Sequence, residues 1–553
     1  MFCLAVPCEG GIETGEAAAG TQASRPRLLV LLVFDQLRPD YLTRWQELYQ
    51  AGGFKRLMQE GAWYTNCLYP YSNTMTAAGH ASVVTGCSPE RHGVIANEWW
   101  DRASWKEQYC VADSQYRAVP AGSAKMGVSP ESLLAETLAD VLKSETGGKA
   151  KVVALSGKDR ASVLPGGKRP DAAYWFDDAT GLFVTSTYYR PELHDWVAAF
   201  NAEGGVNRWF TSGWSKFRQD VDYERFSGPD DAEGEGTGAK QGKTFPHAMT
   251  GGLEQPGKAS FKATYSSPLL NELLWELGQK AIETEGLGRD EVPDLLSISF
   301  SSNDVIGHAY GPDSQEVLDV TLRSDALIGD ILNYLDKNLG PGRYAIAVTS
   351  DHGVCPLPEQ ARRRGIATAN RIDPAGLERG AIAFLEKSFG KAPEGMSWIG
   401  AANFDIYVND QVIDQKKLNR SEVHKALAAW FKNQTGIQEA YTRAELMDPG
   451  ALPGDETAVL ARRSYHPERS GDIFIVLEPY CLSSEYPTGT THGTPHEYDR
   501  RVPLLFFGCG VVAGKRTEPV TPMATATGLS GLAGIRLPGQ AEVPVPEGLI
   551  ARP

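Results

Sequence analysis

The sequence predicts an α/β protein: a doubly wound, mostly parallel central sheet flanked by helices, with an inserted α+β cap. Three observations carry that prediction. Four short runs are apolar with no polar alternation, the pattern of strands buried on both faces. Three of the four lead into helix-type periodicity, as βα units require. At or just beyond the end of each run stands a residue able to do chemistry: Asp35, Lys158, Asp304 or Asp351. Open α/β sheets gather their functional groups at such strand ends.

Taken in order, Leu28–Phe34 is the first buried run and closes on Asp35. A helix is expected over 39–50, with Pro39 near its first turn, and a short strand within 61–69. A helix follows Thr76 over 77–85. Apolar spacing at Leu133, Leu134, Leu138, Val141 and Leu142 predicts a helix over 129–144. Residues 149–155 form the second run, ending in Ser156-Gly157-Lys158-Asp159-Arg160. A hairpin is expected over 174–187 with its turn at 178–181, then a Gly- and charge-rich surface loop over 228–251. The helix 268–285 precedes the third run, 294–300, and the long helix 314–339 precedes the fourth, 344–349. From about 358 to 477 strand-like and helix-like segments alternate with turns, and this stretch is expected to form the cap together with an insertion at about 165–262. The segments 472–477, 490–493 and 502–507 are expected to return to the main sheet.

Composition narrows the function. A net charge of −15 argues against general nucleic-acid binding, which needs a basic surface. Any anionic substrate must be captured by local positive charge, because fields are screened beyond about 8–10 Å at physiological salt. The longest apolar run falls far short of the roughly 20 residues that span a bilayer, so no transmembrane segment is expected. Residues 1–25 read as the remnant of an export signal with a disordered lead-in, which makes 26–553 the catalytic domain and the location periplasmic or secreted. A monomer is expected. None of the eight Cys residues forms a CxxC pair, so a thiolate zinc site is not indicated.

The chemistry-bearing residues are few and varied. Asp304-Val-Ile-Gly-His308 sets a carboxylate and an imidazole four residues apart, Asp351-His352 sets the same pair side by side, and Asp35 and His492 stand alone. Mixed nitrogen and oxygen donors suit a borderline ion such as Zn²⁺, whereas Ca²⁺ would take oxygen alone. Each residue by itself has an ordinary explanation, since an Asp after a strand is commonly a helix cap and a His in a Gly/Thr loop is commonly just a loop residue. Their coincidence at strand ends carries the metal reading. Thr76 precedes a helix, where its ordinary role would also be a cap. A metal ion and a helix N-terminus together would instead lower its pKa and make it a nucleophile.

Across about 27–510 the chain resembles the alkaline phosphatase superfamily, and within it the periplasmic, phosphate-irrepressible alkaline phosphatases with a threonine nucleophile. The resemblance rests on VFDQLRPDYL, NTMTAAGHASVVTG, HGVIANEWWD, SGKDRASVLPGG, DVIGHAYGP with SDHG, and THGTPHEYDRRVPLLFFG. It implies an alkaline-phosphatase-like fold and two zinc ions, one held by Asp304, His308 and His492, the other by Asp35, Asp351, His352 and the Thr76 oxygen. It further implies in-line attack by Thr76 on phosphate monoesters through a phosphothreonine. Asn97, Lys158 and Arg160 are then the groups that bind the phosphoryl oxygens. A Lys-x-Arg pair suits a monoester dianion, whose third oxygen is fully charged; a phosphodiesterase or nucleotide pyrophosphatase of the same superfamily is the alternative.

One motif competes. Cys87-Ser-Pro-Glu-Arg91 matches the C-x-P-x-R pattern from which sulfatases make a formylglycine nucleophile. In sulfatases that motif precedes the helix, whereas here Thr76 takes that position and Cys87 follows Thr85-Gly86. His80 and His92 are expected to be structural, because six other Asp and His residues already fill two zinc shells.

Overall fold

Within Leu28–Phe34, Leu28, Val30, Leu32 and Phe34 pack into one hydrophobic core and Leu29, Leu31 and Val33 into another. Successive side chains of a strand point to opposite faces, so this run can only be a strand covered on both sides. The computed structural model describes residues 25–551 except 124, 449 and 453. The expected lead-in, residues 1–25, therefore falls outside the described residues apart from Arg25.

Leu28–Phe34 lies at the centre of an eleven-stranded mixed sheet. It pairs in parallel with Asp294–Phe300 on one side and Tyr344–Thr349 on the other. Val152–Ser156 joins Asp294–Phe300 in parallel, and Ala172–Asp177 joins Val152–Ser156. The registers bring the strand ends level: Phe34 stands opposite Phe300, Val33 opposite Thr349, and Ser299 opposite Ser156. The residues that follow these ends therefore emerge along one edge. Leu504–Gly508 continues one flank antiparallel to Tyr344–Thr349, and Leu182–Ser186 the other antiparallel to Ala172–Asp177, with two further strands beyond each.

Three elements differ from the sequence expectation. The helix foreseen over 129–144 begins only at Leu138, because Thr137 and Asp140 form a reciprocal cap there. The helix foreseen over 39–50 divides into Tyr41–Arg44 and a 3-10 turn Gln46–Leu48, and Asp325 then captures the chain through the Gln50 and Phe54 N–H groups. The third is Ile473–Leu477, which does not return to the main sheet. It pairs antiparallel with Asp405–Val408 and with Ile437–Thr442 inside a separate four-stranded sheet. A five-residue apolar run carries no information about which sheet will bury it. Two further expectations change: the hairpin Ala172–Asp177 and Leu182–Ser186, inside the stretch 165–262 foreseen as cap, belongs to the main sheet, and residues 490–493, expected to return to that sheet, form a loop outside any strand.

The helix Thr76–Thr85 is buried along its whole length. Gly79, in its first turn, faces the sheet edge, where a Cβ atom would lie 2.1 Å from the Asp351 carbonyl oxygen. Only glycine lets the helix come this close, and the approach sets the first turn of the helix against the strand ends.

Candidate active site

Four strand ends and one helix N-terminus meet here. Asp35, Asp351 and His352 are fully buried, and Thr76, Asp304, His492 and Lys158 nearly so. Thr76 Oγ1 lies 3.3 Å from His352 Nε2. The same nitrogen lies 3.3 Å from Asp35 Oδ1 and 3.3 Å from Asp351 Oδ2. Asp304 Oδ1 is 3.1 Å from His308 Nε2 and 3.8 Å from His492 Nε2. Two compact groups of donor atoms result, Asp35/Asp351/His352 and Asp304/His352/His492.

The three imidazoles share one arrangement. His352 Nδ1 lies 2.9 Å from the Gly353 carbonyl oxygen, His308 Nδ1 2.7 Å from that of Thr490, and His492 Nδ1 2.8 Å from that of Thr74. A carbonyl only accepts, so each Nδ1 is the donor. Each Nε2 is thereby turned toward carboxylate oxygens, where it ligates a cation as a neutral ring or, with none bound, carries a proton to them. Metal-binding histidines use this outer hydrogen bond to fix tautomer and orientation.

The charges point the same way. Three buried carboxylates face one ammonium: Lys158 Nζ lies 2.6 Å from Asp35 Oδ2 and 2.6 Å from Asp304 Oδ2. Burial, then the charges of Asp304 and Asp351, hold the Asp35 carboxyl above its ordinary range. Burial opposes protonation of His352, but Asp351 and Asp35 outweigh it and raise its pKa to about 9. Asp35 Oδ1 and Asp351 Oδ2 are buried with no hydrogen-bond partner. Buried polar atoms are rarely left unpaired. Carboxylate oxygens in this state, gathered with imidazole Nε2 atoms in one buried cluster, fit the ligand set of a divalent cation.

The ten residues singled out from the sequence reach this edge, with two changes of relationship. The expected set Asp304, His308 and His492 meets at Asp304 Oδ1, which both Nε2 atoms approach, and His352 stands close to Asp304 and His492 as well. The His352 and His492 rings stack, with centroids 3.5 Å apart at 13°. Lys158, expected as a phosphoryl-oxygen donor, bridges the two carboxylates. Asn97 Oδ1 accepts the Ala77 N–H at 3.0 Å, which orients its amide beside Thr76 and leaves Nδ2 to offer. Arg160 Nη1 donates to Tyr109 Oη at 3.1 Å, and that hydroxyl also bonds Asp159. Arg160 Nε is buried without a partner.

Sequence reasoning missed several supporting residues. Gln36 bonds Asp351 through its backbone N–H at 3.2 Å and Asp304 through Nε2 at 2.7 Å, tying the two groups together. Its position next to Asp35 was the only signal. A Cβ at Gly307 would lie 1.8 Å from Gln36 Oε1, so that glycine makes room for it. His80, expected to be structural, is a supporting residue: its Nδ1 lies 2.9 Å from the Thr76 carbonyl oxygen and 3.2 Å from Asp351 Oδ2. His92 lies away from the cluster, bonded to Ser82 Oγ and the Val94 N–H, and burial lowers its pKa to about 3. Cys87 lies beyond the far end of the Thr76–Thr85 helix, about 15 Å along its axis. Burial pushes its thiol up to about 12, which is wrong for a nucleophile.

The family described as Type I phosphodiesterase / nucleotide pyrophosphatase matches residues 29–499. "Alkaline phosphatase PafA" of Elizabethkingia meningoseptica is 34% identical over 525 residues, covering 94% of this chain and 93% of its own. "Alkaline phosphatase PhoV" of Synechococcus elongatus is 33% identical over 525 residues, covering 93% and 91%. The crystal structure of wild-type alkaline phosphatase PafA superimposes with a TM-score of 0.89 at 33% identity, covering 95% of this chain and 99% of that one.

Proposed function

The chain belongs to the Type I phosphodiesterase / nucleotide pyrophosphatase family, within the alkaline phosphatase superfamily, and we propose that it is a zinc-dependent alkaline phosphomonoesterase. The observation that supports this most is the set of three imidazoles, each anchored at Nδ1 and facing buried carboxylates beside Thr76. Asp35, Asp351, His352 and Thr76 would hold one zinc ion, and Asp304 and His492, joined by His308, the other. When bound, the two ions supply Lewis-acid neutralisation of charge on the attacking and leaving oxygens.

Thr76 Oγ1 attacks phosphorus, the bond to the leaving oxygen breaks, and a phosphothreonine remains. Its place at the start of a helix puts partial positive charge beside the developing anion. Water then attacks phosphorus from the opposite side and returns the Thr76 oxygen. Asn97 Nδ2 binds one non-bridging oxygen. The Lys158 ammonium and the Arg160 guanidinium bind the remaining charge of the dianion, which a diester lacks. The cap over about 358–477, with the insertion near 165–262, shapes the pocket above. A monomer and an export route go with this reading, the latter resting on the apolar stretch Met1–Pro7.

Metal analysis combined with turnover of an aryl phosphate tests the proposal. About two zinc ions per chain are expected, with activity lost on chelation and restored by Zn²⁺. Full activity in zinc-free protein would overturn it. A second reading, phosphodiester hydrolysis, is favoured by the family that the chain matches. A kcat/KM higher for an aryl diester than for the corresponding monoester would select it.

A further inference from the structure

A cavity of about 810 Å³ opens beside His308, walled by the loop that contains Lys240, by the helix that carries Lys262, and by residues 483–491. Its position relative to the reaction follows from geometry. Displacement at phosphorus is in line, so the leaving oxygen departs opposite the attacking one. Thr76 Oγ1 sits with His352, so the leaving group emerges on the side of Asp304, His492 and His308. The His308 side chain is 34% exposed, whereas those of Asp304 and His492 are 5% and 4% exposed. The site therefore opens to solvent at His308, into this cavity.

The cavity is built into the same framework as the site. The Gly236 N–H donates to the Ala309 carbonyl at 2.8 Å, Gly489 N–H to that of Gly234 at 2.7 Å, and Thr490 N–H to that of His308 at 2.8 Å. Its walls carry two ammonium groups, Lys240 and Lys262, both exposed, and among the described residues neither meets a carboxylate. Lys243, by contrast, is paired with Asp231. Glu485 is the opposing charge on the same wall, and Tyr486, 73% exposed, adds an aromatic face.

We propose that this cavity is a leaving-group subsite for phosphate monoesters whose leaving group carries a second anionic group, a carboxylate or another phosphate, received by Lys240 and Lys262. The inference rests on the phosphomonoesterase reading and names the substrate class for it. In a chain of net charge −15, two unneutralised lysines lining the same cavity as His308 provide the local attraction that a doubly anionic substrate needs.

The test uses the zinc-loaded full chain with phenyl phosphate and 4-carboxyphenyl phosphate as paired substrates, and reads the ratio of their kcat/KM values. Lys240→Ala or Lys262→Ala should lower the carboxylated-to-plain ratio about threefold and the double variant about tenfold, the scale of exposed charge pairs. Glu485→Gln should raise the ratio, and raising ionic strength should lower it in the native protein. An unchanged ratio in the double variant, or an equal drop on both substrates, overturns the subsite. Failure to hydrolyse phenyl phosphate at all would instead overturn the phosphomonoesterase reading, and the subsite with it.

Discussion

At the scale of single residues, the site is decided by which atom of each side chain is already engaged. Nδ1 of His308, His352 and His492 is spent on a backbone carbonyl, so Nε2 is the atom left for a cation. Asn97 spends Oδ1 on the Ala77 N–H and so presents a donor. Thr76 and Cys87 make the sharpest contrast, one at the strand ends and one buried beyond the helix. Thr76→Ala should cost on the order of 10⁴-fold in kcat/KM and Cys87→Ala less than threefold; steady-state assays of both variants at equal zinc content check this, and the reverse order would restore the sulfatase-type reading. Lys158→Ala with Arg160→Ala should lower monoester kcat/KM by about 10²-fold or more and change the diester reaction little. Equal losses on both substrates would mean that the pair does not read the dianion.

At the scale of elements, the helix Thr76–Thr85 matters for where it lies rather than for what it exposes. Every residue of it is buried, and Gly79 lets it approach the Asp351 backbone. Gly79→Ala puts a methyl group 2.1 Å from that carbonyl oxygen, and overpacking of this kind costs about 1–3 kcal/mol. The expected outcome is a lower melting temperature and weaker zinc retention together, measured by calorimetry and metal analysis. Loss of stability with unchanged zinc affinity would show that the helix and the strand edge move independently. The helix Gln315–Asn338, expected over 314–339, is long and amphipathic, and the structure adds its cap, Ser314 Oγ accepting the Val317 N–H. The strand Ile473–Leu477 was equally legible as a strand, but its partner sheet was not.

At the scale of the whole molecule, stability and working pH pull in opposite directions. Glu316 is buried against His247, with Oε1 3.0 Å from the ring Nε2, and burial raises its pKa from 4.5 to about 8. Glu235 nearby is likewise raised to about 8, first by burial. A carboxyl with a raised folded-state pKa lends its stability fully below the unfolded value of 4.5. That contribution is lost as pH rises through about 8. The protein should therefore melt lower at pH 9 than at pH 6. Glu316→Gln, which cannot ionise, should shrink the difference. A melting temperature that falls equally in both proteins over this range would show that Glu316 does not contribute to it.

The sequence alone determined the four buried parallel strands, the chemistry-bearing residues and the competing motif to discard. Continuous apolar runs and ligand types are local properties, fixed by side-chain transfer energies and donor atoms. Only the tertiary structure decided the grouping of His352 with His492, the bridge made by Lys158, the links through Gln36 and His80, and the sheet that receives Ile473–Leu477. These depend on strand register and on atoms brought together from positions as far apart as Thr74 and His492. No local pattern encodes such distances, because they are set by how the whole core packs.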